Sequence, residues 1–95
     1  MNCPNELRSV GIHQFIILLE DVPHKSRTEI EEYCIKNNIS NEGGAGRRAS
    51  NFITIMKDKN KLINSLNYII HESKRVAYED KMKAKQLVEK INIAN

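Results

Sequence analysis

The chain has 95 residues, of which 40% are hydrophobic and 28% charged. That balance excludes a disordered chain, and the length allows one domain with one modest core. Tryptophan is absent and aromatics are only 5%, so the core is aliphatic, with Phe15 and Phe52 as its largest pieces. The net charge of +3 and pI near 9.0 permit a nucleic acid or an acidic protein surface as partner without demanding either. Residues 1–56 hold six Lys and Arg against seven Asp and Glu, net −1, while residues 57–95 hold nine against five, net +4.

The longest apolar run, residues 15–19, is far too short to span a bilayer, so no membrane role is expected. Cys3 and Cys34 form neither a zinc clip nor a disulfide framework. With no signal peptide in view, a reducing cytoplasmic setting is the simplest reading. Heavy use of Ile, Asn and Lys is what AT-rich codons produce, which hints at a phage, a virus or a low-GC bacterium.

From 6 to 20, Leu7, Val10, Phe15 and Leu18 suit one helix face, with Ile12, Ile16 and Leu19 beside them. Gly11 costs such a helix about 1 kcal/mol relative to Ala. Residues 12–19 also read as a short buried strand, but no partner strand is evident, so helix is preferred. Pro23 then breaks the chain. Ser26-Arg27-Thr28-Glu29 is a capping box, in which each end satisfies the other's backbone N–H. The helix it opens turns Ile30, Tyr33 and Cys34 inward, and Asn37-Asn38 stops it.

Residues 39–46, with three of the four glycines, read as a loop. The next helix is expected over 47–57, with Ala49, Phe52, Ile53 and Met56 facing the core. Arg47, Asn51 and Thr54 share its opposite face, flanked by Arg48, Ser50 and Lys57. Asp58 or Asn60 can cap the helix after it. Leu62, Leu66, Ile69 and Ile70, then Ala84, Leu87, Val88 and Ile91, trace an apolar face with a polar interruption between them. It is either one helix of about 33 residues, roughly 50 Å long, or a hairpin broken near Ser73 or Asp80. The expected fold is all-α in a single domain spanning 1–95. Four to five helices are expected in all, as a helix-turn-helix-like core over 6–57 and a long C-terminal helix or hairpin over 59–93.

The chemistry concentrates at 47–57. In a helix-turn-helix the second helix enters the major groove of DNA and its early residues touch base edges. Arg suits guanine and Asn suits adenine, because each makes two hydrogen bonds to one base edge. Arg47, Arg48, Ser50, Asn51 and Thr54 are therefore the expected reading residues, with Lys57, Lys59 and Lys61 near phosphates. Two arginines at a helix start oppose the macrodipole unless an anion sits there. Three features oppose this reading: a turn of about ten residues over 37–46, acidic Glu29, Glu31 and Glu32 on the first helix, and no wing after Met56.

The leading expectation is a small regulatory protein that binds double-stranded DNA, in the form of a homodimer. The alternative is a small inhibitor or adaptor that binds a host or partner protein and has no nucleic-acid role. Leu87, Val88 and Ile91 are the candidate surface for a second copy or a partner, unless they pack on their own core. Catalysis is not expected, since no Ser, Cys or Lys stands beside an evident base. His13, His24 and His71 are too scattered for a metal, and Gly43-Gly44-Ala45-Gly46 lacks the spacing of a phosphate-binding loop, so no cofactor is expected.

Overall fold

A computed structural model describes residues 3–71 and 76–93, and these form six helices with no strand among the described residues. They are α1 (Asn5–Val10), α2 (Ile12–Asp21), α3 (Arg27–Lys36), α4 (Glu42–Lys57), α5 (Lys59–His71) and α6 (Tyr78–Ile93). The all-α expectation holds, and four to five helices become six.

The extra helix comes from Gly11. The sequence suggests one helix over 6–20, but Gly11 sits at φ +92°, ψ 137°, a conformation that side chains other than hydrogen strain to adopt. The Gly11 N–H closes α1 on the Leu7 carbonyl at 2.8 Å, and the Gly11 carbonyl accepts from Phe15 N–H at 2.8 Å to open α2. The strand reading of 12–19 is thereby settled as helix. Phe15, Ile16, Leu18 and Leu19 are buried at the spacing of one helical face.

α3 begins as its capping box dictates. Ser26 Oγ accepts from Glu29 N–H at 3.2 Å and Ser26 N–H donates to Glu29 Oε1 at 3.3 Å. These bonds to Ser26 hold the Glu29 carboxyl below its usual range. The Tyr33 hydroxyl donates to the Asp21 carboxylate, tying α3 to the end of α2.

The largest departure is at the glycines. Residues 43–46 are helical, and α4 starts at Glu42 rather than at 47. Asn41 supplies the reason: its side chain caps the helix, accepting from Gly44 N–H at 2.9 Å. Ala45 and Ala49 then extend the buried face of α4 upstream of where its large apolar residues begin. That face is Ala45, Ala49, Phe52 and Ile55, so Ile53 and Met56 are rotated to its edges and are half-buried. The α3–α4 connection shrinks to residues 37–41. Asn38 (φ +58°) turns the chain, and the Ile39 and Ser40 N–H groups both return to the Cys34 carbonyl.

The C-terminal alternatives resolve into a hairpin, with α5 and α6 packed on each other. The molecule measures 33 × 29 × 21 Å, too small for one continuous helix of the other reading. Asp58 Oδ1 caps α5 by accepting from the Asn60 N–H at 2.9 Å and the Lys61 N–H at 3.3 Å. Ser73, one proposed break, lies outside the described residues. Asp80, the other, lies within α6.

α4 packs most extensively on α1 and α3, with α5 and α6 closing the far side. The described core is one contiguous cluster running from Leu7 to Ala84. At its centre Phe15 and Phe52 meet edge-to-face, with centroids 5.8 Å apart. Polar pairs brace it from outside: Lys61–Glu6 joins α5 to α1 at 3.0 Å, and Lys83–Glu20 joins α6 to α2 at 3.0 Å. No helix among the described residues is long and apolar enough to cross a membrane.

The glycines differ in the room around them, and stability should track that difference. A methyl added at Gly43 or Gly44 would meet only Asn41 Oδ1 at 3.5 Å. Gly43→Ala and Gly44→Ala should therefore each raise stability by up to about 1 kcal/mol in urea denaturation. Gly46→Ala should gain less, because its methyl would come within 2.8 Å of Glu31 Oε1. Gly11→Ala should lose about 1–3 kcal/mol through its positive φ and a clash with Gln14. The bond to Asp21 pushes the Tyr33 phenol from 10.0 up to about 12. A raised folded value gives stability that is complete below pH 10 and lost as pH rises towards about 12. The stability difference between wild type and Tyr33→Phe should shrink across that window.

Candidate nucleic-acid interface

α4 carries the expected reading residues, and its earlier start changes where each one points. Arg47 and Arg48 now lie in its second turn instead of at its first residues. The two arginines also part company. Arg47 is exposed. Arg48 is half-buried and turns back over the α3–α4 connection, where its guanidinium Nη1 donates to the Ile39 carbonyl. Its Nε is buried without a hydrogen-bond partner. Arg48 is thus held by the turn it closes, near the buried Cys34 thiol. Burial pushes that thiol up, and the Arg48 charge pulls the other way more weakly.

Asn51 is half-buried and its Nδ2 donates to the Arg47 carbonyl at 2.9 Å. Thr54 is exposed and its hydroxyl donates to the Ser50 carbonyl at 3.0 Å. Both are bonds to a helix carbonyl four residues back. Ser50 is half-buried and faces α3 across a groove. Lys57 and Lys59 are exposed, whereas Lys61 is drawn to Glu6 on α1. The structure thus brings Arg47, Asn51, Thr54 and Lys57 onto the outer side of α4, and takes Arg48 and Lys61 for internal pairing.

Two cations that sequence reasoning missed lie beside this surface. Lys25 and Arg27, at the start of α3, face Ser50, Thr54 and Lys57 of α4. The signal was present in the capping box, which fixes where α3 begins, but their proximity to α4 depends on how the two helices pack. Of the acidic residues on α3, Glu31 lies 3.6 Å from Arg27 and Glu29 lies 4.0 Å from Lys25. Leu87, Val88 and Ile91 pack against the chain's own core. No group of three or more His, Cys, Asp or Glu among the described residues is gathered as a metal ion would require.

The split between the arginines is measurable. Arg48→Ala leaves the Ile39 carbonyl without its donor and should cost about 1–3 kcal/mol in chemical denaturation. Arg47→Ala should stay within about 0.5 kcal/mol of wild type. No protein-family model, curated protein or solved structure matches this chain.

Proposed function

We propose that this protein binds double-stranded DNA, with α4 as the helix that enters the major groove and α3 crossing behind it. The observation that carries this reading is the α3–α4 pair: two packed helices joined by the short turn 37–41, with Arg47, Asn51, Thr54 and Lys57 on the outer side of the second. The sequence suggests a turn too long for such a module. A five-residue turn, 37 through 41, stands close to the three or four residues usual for one. Gly43 and Gly44 leave room for close approach along the first turn of α4, although that turn also carries the exposed, acidic Glu42.

The alternative, an adaptor that grips a protein partner through apolar contacts, would be supported by an exposed apolar patch. Among the described residues only Ile35 and Tyr78 are large, hydrophobic and exposed. Charge and amide chemistry therefore favour the nucleic-acid reading. A homodimer would set two copies of α4 along successive turns of the groove.

The test is fluorescence anisotropy on a random duplex at low salt, with the protein's mass measured in parallel. Wild type should bind, and its affinity should fall linearly on a log–log plot as salt rises. Arg47→Ala and Asn51→Ala should each weaken binding by about 1–3 kcal/mol. Absence of binding at low salt, or affinity untouched by both substitutions, overturns the proposal.

A further inference from the structure

Between the start of α3 and the second half of α4 lies a groove of about 460 Å³. Three cations line it, Lys25 just ahead of α3, Arg27 from α3 and Lys57 from α4, together with the hydroxyl-bearing Ser26, Ser50 and Thr54 and the apolar Ile53. Among the described residues, no acidic one lines it. The nearest carboxylates are accounted for. Glu29 is occupied by the Ser26 N–H and lies 4.0 Å from Lys25, and Glu31 lies 3.6 Å from Arg27 Nε. The Lys25–Glu29 pair is largely exposed and so holds its cation weakly, whereas Arg27 is exposed beside a half-buried Glu31. Arg27 also reaches over Gly46, whose missing side chain leaves room for its Nη2 along α4. Lys57 has no ion-pair partner among the described residues.

We propose that this groove is a binding site for a phosphate group. A carboxylate carries one charge on two coplanar oxygens, which suits cations arriving from two helices less well than a tetrahedral, doubly charged group. A phosphate offers three or four oxygens, matches the planar fork of Arg27, and accepts from the Ser50 hydroxyl as well. The volume is that of a small-ligand pocket, so the phosphate can belong to a free monoester such as a mononucleotide. It can also be one diester of a duplex backbone, which has two non-bridging oxygens and one charge and so would be held less tightly by the same cations. The site shares Thr54 and Lys57 with the surface proposed above, but it does not depend on α4 entering a groove of DNA.

The experiment is an amide NMR titration of the full chain with inorganic phosphate, with adenosine monophosphate, and with sodium chloride at matched ionic strength, beside the duplex titration. Saturable shifts at residues 25–27 and 50–57 are expected with phosphate or the mononucleotide but not with chloride. Arg27→Gln combined with Lys57→Gln should weaken that binding by about tenfold or more. Lys57→Gln alone, at an exposed helix end, serves if the double variant is poorly folded. Binding of phosphate or mononucleotide supports a free-ligand site. Silence with both, combined with a shallower salt dependence of duplex binding in the variant, supports a backbone-phosphate site. Shifts equal to those from chloride, with duplex binding absent or unchanged in the variant, overturn the proposal. Duplex binding that needs Arg47 but not the groove cations, with silence from phosphate and mononucleotide, rejects this inference alone. Phosphate binding without duplex binding rejects only the DNA reading.

Discussion

The contact on which the fold depends is the inner face of α4. Its first half is made of small residues and its second half of large ones. Ala45 and Ala49 are fully buried, and with Gly46 they let α3 settle close enough for Arg27 and Glu31 to lie over the helix backbone. Phe52 and Ile55 continue the line into the centre, where Phe52 meets the edge of Phe15. A Leu or Phe buried in an apolar core is worth about 1.5–3 kcal/mol. Much of the stability of so small a protein therefore passes through a few side chains on this helix, and interhelical pairs on the surface contribute little beside them.

The polar groups inside the protein are few, and each has a different standing. Asp80 is buried on α6 and meets the exposed His13 side chain of α2 at 2.9 Å. That contact gives a carboxylate removed from water one charged or hydrogen-bonding neighbour. The Ser65 hydroxyl, wholly buried on α5, has no hydrogen-bond partner among the described residues. The Arg48 guanidinium lies between these cases, with Nη1 satisfied by Ile39 and Nε not. Arg48 explains how a residue that looks like a DNA-reading side chain can instead secure a turn. Its alkyl stem and fork allow it to fold back over its own helix.

The parts of the fold legible in sequence are those set by neighbours only a few residues apart. The capping box at Ser26, the Asp58 cap and the helical class of every element depend on local hydrogen bonds and apolar spacing, and they form as expected. The glycine run misleads because propensity alone assigns 43–46 to a loop. The close approach of α3 and the Asn41 cap override that propensity, and neither can be inferred from a helical pattern that begins downstream. The same error shifts the apparent inner face from Ala45, Ala49, Phe52 and Ile55 towards Ile53 and Met56. At the candidate interface, Arg47, Asn51, Thr54 and Lys57 are readable from one helix's periodicity. Lys25 and Arg27 are not, because they come from a second helix, and the inward turn of Arg48 is not, because its acceptor is a main-chain carbonyl.

α1 and α2 are synthesised well before the helices that cover them. Leu7 and Val10 need α4, Phe15 needs Phe52, and α2 also closes against α6. During translation the apolar stretch of α2 therefore leaves the ribosome before anything exists to shield it. The α3–α4 and α5–α6 hairpins, by contrast, close on sequential neighbours and can form as they emerge. Only when α4 and then α6 have docked does the apolar face of α2 have all the partners that bury it.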